Sequence, residues 1–232
     1  MSGPDARTWL AVDMLRIQGN FEYAIEDATR LLAMHDAETK RRPGRPSRQL
    51  EVLKRAAVIV AITAWESFIE DVIRAYGMHQ LQLAETPTDV SAWFNSVGQV
   101  WLQGNPKPPA VAMWTGVRWK ELLKRRLKFD LQALNTPSSS NVKVLSKRYL
   151  GASLCERWKW TRTSAENAAR RLDDFIHLRG ELVHHSPAFF EHHRDADDSR
   201  DSAGRVQRQQ VVDGMSLLRN LVRCTYAAVL EE

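Results

Sequence analysis

The segment Leu172-Asp173-Asp174-Phe175-Ile176-His177-Leu178-Arg179-Gly180-Glu181-Leu182-Val183-His184 places Leu172, Phe175, Ile176, Leu182 and Val183 at the three-and-four spacing of one helical face. Pro187 is positioned to end that helix, and Thr163-x-x-Glu166 upstream has the spacing of a capping box. At about 3.6 residues per turn, Arg179 projects from the middle of the apolar stripe. A guanidinium in such a place needs a partner, because desolvating it is costly unless it is paired and hydrogen-bonded. Two readings are open. One is an internal ion pair, for which Glu66 in Ala64-Trp65-Glu66-Ser67-Phe68 is the candidate acid; the other is an anion site in a cleft or at a subunit interface. His184 lies about 140° around an ideal helix from Arg179, so one regular helix aims the two side chains differently. Either a distortion at Gly180 and in the last turn, or a two-fold dimer that pairs the motifs of two chains, has to bring them together, and the dimer is the preferred expectation.

Outward from this segment the periodicity stays helical. Trp9, Val12, Leu15, Tyr23, Ala24 and Leu31 mark a first helix, and Leu53, Ala57, Val60, Ala64, Phe68 and Val72 a second. Between them Lys40-Arg41-Arg42-Pro43-Gly44-Arg45-Pro46-Ser47-Arg48 reads as an exposed basic loop. Pro87, Gly104, Pro106, Pro108 and Pro109 interrupt the middle, where short helices and packed loops are expected around Trp93, Trp101 and Trp114. Arg118 to Lys128 then sets six basic residues against one acid around Trp119, Leu122, Leu123 and Leu127, an amphipathic basic helix that suits RNA, a membrane surface or plain water. After Asn135-Thr136-Pro137-Ser138 a shorter helix is signalled by Val142, Leu145, Tyr149 and Leu150, with Gly151 as its C-cap. A polar linker at 191–205 leads to a last helix at 206–231, whose seam is Val211, Met215, Leu218, Val222, Tyr226 and Val229.

With 232 residues, 44% of them hydrophobic, the chain can bury a core without disulfides or metals, and 1–232 is read as one all-α domain of long antiparallel helices. The two cysteines, Cys155 and Cys224, have no metal-ligand or redox-motif spacing, so no cofactor is implied and a reducing, cytoplasmic setting is expected. No signal peptide or membrane span is legible, since the longest apolar run, Ala56 to Ile62, is far too short. A net charge of +5 makes a polyanion partner plausible without naming it.

The Arg179-to-His184 stretch resembles the terminal motif of HEPN proteins, an arginine followed after four to six residues by a histidine. Ala57-Val58-Ile59-Val60 leading to Trp65-Glu66-Ser67-Phe68-Ile69 is similar to the early glutamate helix of the RiboL-PSP-associated HEPN branch. Asn135-Thr136-Pro137-Ser138 with Val142, Leu145 and Tyr149-Leu150-Gly151 resembles that branch's central segment, so the resemblance runs over about residues 48–186.

This resemblance implies a helical bundle that dimerises so that two motifs line one cleft, and a metal-independent endoribonuclease acting on RNA, as a toxin or defence effector, with an antitoxin or defence-system protein as further partner. Histidine can move protons near neutral pH, and arginine can clamp a phosphate as charge builds. Arg179 and His184 are the expected catalytic pair, with Glu66, Gly180 and His185 supporting the site; His185 replaces His184 if the motif is shifted by one. Arg118, Lys120, Lys124, Arg125 and Lys128 are the candidate nucleic-acid contacts. Gly180 stands where the family commonly has a polar residue such as Asn, which keeps open a second reading, a non-catalytic HEPN dimer that binds nucleic acid or protein. His177, Glu181 and His184 fall at i, i+4 and i+7, a spacing from which a metal site can be drawn, but no metal is expected; His192 and His193 belong to the polar linker.

Overall fold

The computed structural model describes residues 6–41, 48–90, 93, 116, 118–134, 136–184 and 206–231. The helices are α1 (Ala6–Arg41), α2 (Arg48–Leu83), α3 (Arg118–Gln132), α4 (Ser139–Leu150), α5 (Ala165–His184) and α6 (Arg208–Glu231), with 3-10 turns at Pro87–Val90 and Leu154–Arg157. Among the described residues the β-type pairing is limited to a bridge between Trp160 and Thr163, so the all-helical expectation holds. No helix among them is long and apolar enough to cross a membrane. The centre of the expected basic loop (42–47), Trp101 and Trp114, and the linker at 191–205 lie outside the described residues.

α1 and α2 have 36 residues each, about 54 Å of helix, and form the long antiparallel pair. The buried face of α1 is Leu10, Met14, Ile17, Phe21, Ile25, Ala28 and Leu32. This corrects the expected face: Trp9, Val12, Leu15 and Tyr23 are 59%, 54%, 59% and 72% exposed. α1 is apolar on more than one side, and the row that wins contains Phe21, whose ring meets Phe68 of α2 edge-on with centroids 5.8 Å apart. On α2 the expected face is buried at Ala57, Ala64, Phe68 and Val72.

From Phe68 the aromatic packing continues to Trp65 (5.9 Å, stacked) and from Trp65 to Trp158 (5.7 Å, edge-on). Trp158 Nε1 donates to Thr225 Oγ1 on α6 at 3.0 Å, so this column crosses the bundle from α1 to α6. α6 buries Val211, Met215, Leu218, Val222 and Val229 as its spacing predicts. Its start is clamped to α1, where both oxygens of Asp36 accept from Arg208 Nε at 2.9 Å. That guanidinium holds the Asp36 carboxyl below its ordinary value. At Gly214, α6 comes so close to α5 that a Cβ would stand 2.3 Å from the Phe175 ring, and any larger residue would force something there to shift.

Two short signals set the helices that bracket the site. Ser138 caps α4 by accepting from Asn141 N, and Gly151 closes it at φ 79°, a left-handed conformation that glycine adopts without strain. The capping-box expectation at Thr163 is corrected by one residue: Ser164 Oγ accepts from Asn167 N at 3.2 Å, while Thr163 is held in the bridge with Trp160. Both residues carry a hydroxyl, and the bridge leaves Ser164 as the one free to cap.

Candidate active site

α5 is an unbroken α-helix from Ala165 to His184, with no interruption or positive φ at Gly180 that would bring the positions of Arg179 and His184 to one side. Its inward row is Ala168, Leu172, Phe175 and Leu182, all buried, and Arg179 falls in that row, half-buried. Val183, expected on the stripe, is exposed, because in the last turn it is the neighbouring Leu182, about 100° around the helix, that enters the core. Arg179 Nε is shielded from solvent and, among the described residues, has no hydrogen-bond partner.

The charge of Arg179 acts on Glu66 of α2. Burial pushes its carboxyl above the ordinary value of 4.5, and the Arg179 guanidinium pulls it partly back. Glu70, one turn further on, adds to the upward push. Glu66 Oε1 is likewise buried without a hydrogen-bond partner, and no salt bridge joins it to Arg179 among the described residues. The ion-pair expectation is therefore met only as a field between two half-buried groups, each with unused hydrogen-bonding capacity.

Side chains that carry no chemistry of their own set this geometry. Trp65 Nε1, next to Glu66, donates to Pro137 O at 3.0 Å, tying α2 to the segment before α4. Asp173, six residues before Arg179, accepts from Ser139 N at 2.8 Å and from Ser139 Oγ at 2.6 Å, satisfying the start of α4. Arg55 Nη2 donates to Leu182 O at 2.7 Å in the last turn of α5. α5 therefore runs antiparallel to α2. None of these three contacts was named from sequence; the available signal for Arg55 was its place eleven residues before Glu66, about three turns along the same side of α2.

The side chain of His184 and all of His185 lie outside the described residues, as do His192 and His193. His177 and Glu181 pair at 3.5 Å on the exposed side of α5, and no metal-holding group of His, Cys, Asp or Glu occurs among the described residues. Cys155 is buried, donates to Ser139 O, and has its thiol pushed up to about 12 by burial, which leaves it inert as a nucleophile.

The sequence pattern of the RiboL-PSP-HEPN family matches residues 23–229. The chain belongs to this family. No curated protein and no solved structure matched it significantly. The match covers all three blocks of the HEPN resemblance and extends it to Tyr23 and Val229, taking in most of α1 and α6. Within this HEPN chain, Glu66 of the early helix and Arg179 of the terminal motif are brought together.

The basic helix α3 stands further along. It meets α2 at Gly77, where a Cβ would lie 3.2 Å from Leu127, eleven residues or about 16 Å of helix beyond Glu66. Arg118, Arg125 and Lys128 are exposed on α3. Lys124 is bonded to Glu121 at 2.8 Å, and Lys120 lies over the Trp119 ring at 5.4 Å. Three of the five expected cations are thus exposed, and two are engaged within the helix.

Proposed function

We propose that this HEPN protein is a metal-independent endoribonuclease that works as a homodimer, the Arg179 and His184 of two chains lining one cleft. The carrying observation is Arg179: it is half-buried on the motif helix, beside Glu66, and its Nε is not used up in a hydrogen bond. A cation held in that state suits a phosphate that arrives only with substrate. Glu66 keeps the guanidinium facing its site without competing for it through a close ion pair. The unbroken α5 supports the dimer, since positions five residues apart on a regular helix stand about 140° apart around its axis.

In this reading the 2′-oxygen of a ribose attacks the adjacent phosphorus and the P–O5′ bond breaks. His184 of one chain accepts the 2′-hydroxyl proton, His184 of the other donates a proton to the leaving O5′, and Arg179 holds the phosphate as charge develops. The products are a 2′,3′-cyclic phosphate and a 5′-hydroxyl. Exposed Arg118, Arg125 and Lys128 would bind the flanking backbone. A toxin or defence effector, active in the cytoplasm and restrained by an antitoxin or other defence-system protein, is the biological setting this chemistry suits. Gly180 favours one alternative, a non-catalytic HEPN dimer, because glycine contributes no side-chain hydrogen bond beside Arg179.

The test is incubation of single-stranded RNA and DNA of the same sequence with the protein in excess EDTA, followed by analysis of product ends. RNA cut to 2′,3′-cyclic phosphate ends, DNA bound but intact, and loss of cutting in His184→Ala are expected. Strict dependence on a divalent metal, or 5′-phosphate ends, would overturn the mechanism. A monomeric mass in light scattering at working concentration would overturn the composite site.

A further inference from the structure

We infer that Arg55 is a positioning residue for this reaction, holding the terminal turn of α5 to which His184 belongs. The inference rests on the ribonuclease reading and adds to it a residue that the motif does not contain.

The last carbonyls of a helix have no donor within the helix, so the end of α5 needs outside partners to stay wound. Leu182 O is one of them, and Arg55 Nη2 reaches it at 2.7 Å from α2, across 127 residues of sequence. The bond is charge-assisted and partly buried, and a cation there also complements the negative end of the helix. Leu182 is fixed from its other side as well, because its side chain is buried in the core. The peptide two residues before His184 is therefore held by apolar packing and by a main-chain hydrogen bond together.

The position of Arg55 on α2 gives this contact its functional sense. Arg55 and Glu66 lie about three turns apart on nearly the same side of one rigid helix. α2 thus faces α5 at Arg179, whose charge acts on Glu66, and holds the last turn of α5 through Arg55 and Leu182. Arg179 and His184 belong to the stretch between and just beyond these points. A surface cation serving only solubility would show neither a long-range main-chain acceptor nor this alignment. Among the described residues, the hydrogen bond to Leu182 is the one Arg55 makes.

The experiment compares the full-length protein with Arg55→Gln and Arg55→Lys, using a fluorescent single-stranded RNA for kinetics and amide hydrogen exchange for α5. In Arg55→Gln, exchange in the last turn of α5 should quicken while α1, α4 and α6 stay protected. The same variant should lose about tenfold in kcat, with KM within about twofold, because the histidine is displaced while the phosphate clamp remains. Arg55→Lys, which keeps a cation and a donor, should recover part of both. Unchanged exchange overturns the inference, and so does faster exchange with unchanged kcat. A loss that appears mainly in KM also overturns it and makes Arg55 a substrate contact instead. Wild-type protein that cuts no RNA would overturn the ribonuclease reading, a failure recognisable because the exchange difference would persist.

Discussion

Arg179 lies close enough to Glu66 for its charge to favour the ionised carboxyl, yet the two form no salt bridge among the described residues. Burial outweighs the guanidinium, so the Glu66 pKa stays above the ordinary 4.5. A group whose folded pKa is raised contributes stability below its unfolded pKa and loses it as pH rises through the folded one. Glu66→Gln should therefore be more stable than wild type near neutrality, with the difference vanishing below the ordinary 4.5. Urea unfolding of both proteins across that range checks the sign. Equal stability at neutral pH would mean that Arg179 compensates the buried charge in full.

Arg179→Ala and Arg179→Lys should each reduce RNA cleavage by about a hundredfold or more, since lysine supplies a point charge but not the planar fork that binds a phosphate through two hydrogen bonds. Circular dichroism should show the helices retained. Full activity in the lysine variant would return Arg179 to a purely structural charge.

Gly180 is a position where the chain can be improved. A Cβ there would meet nothing within 4 Å, and the residue lies inside a regular helix. Gly180→Ala should stabilise the protein by about 0.5–1 kcal/mol, measured by denaturant midpoint. Gly180→Asn should fit equally well and cleave RNA at least as fast as wild type. Slower cleavage in the asparagine variant would show that the site is built around the glycine.

Gly214 makes the opposite case from the same kind of residue. With a Cβ placed 2.3 Å from the Phe175 ring, Gly214→Ala should cost about 1–3 kcal/mol, because α5 and α6 would have to separate. A neutral result in the same unfolding measurement would mean that Phe175 has room to turn aside.

The fold was legible wherever a helix has one apolar face. The spacing of Val211, Met215, Leu218 and Val222 led directly to α6, and that of Val142, Leu145, Tyr149 and Leu150 with Gly151 as C-cap led to α4. α1 was legible as a helix but not in its orientation, because Trp9, Val12 and Leu15 satisfy the same spacing as the buried Leu10, Met14 and Ile17. Periodicity cannot rank two rows of similar character; only the partner helix does that. At the site, Arg179 stood out because a charge interrupted an apolar row, and Glu66 for the same reason. Arg55, Asp173 and Trp65 gave no such contrast. Each acts through a main-chain group far away in sequence, and the pattern of side chains along one helix holds no trace of the backbone it will meet.

The glycine notch at Gly214 also has a mechanical meaning. Phe175 sits in it as a tenon sits in a mortise, one turn from Arg179, while Asp173 is pinned to Ser139 below and Leu182 to Arg55 above. A rod fastened at three heights resists both sliding along its axis and rotation about it. The motif helix is thus built as a fixed jaw rather than a moving one. Under the proposed function, control of such a jaw would fall to whatever meets it from outside, and a protein that covers Arg179 would silence it more readily than one that tries to bend the helix.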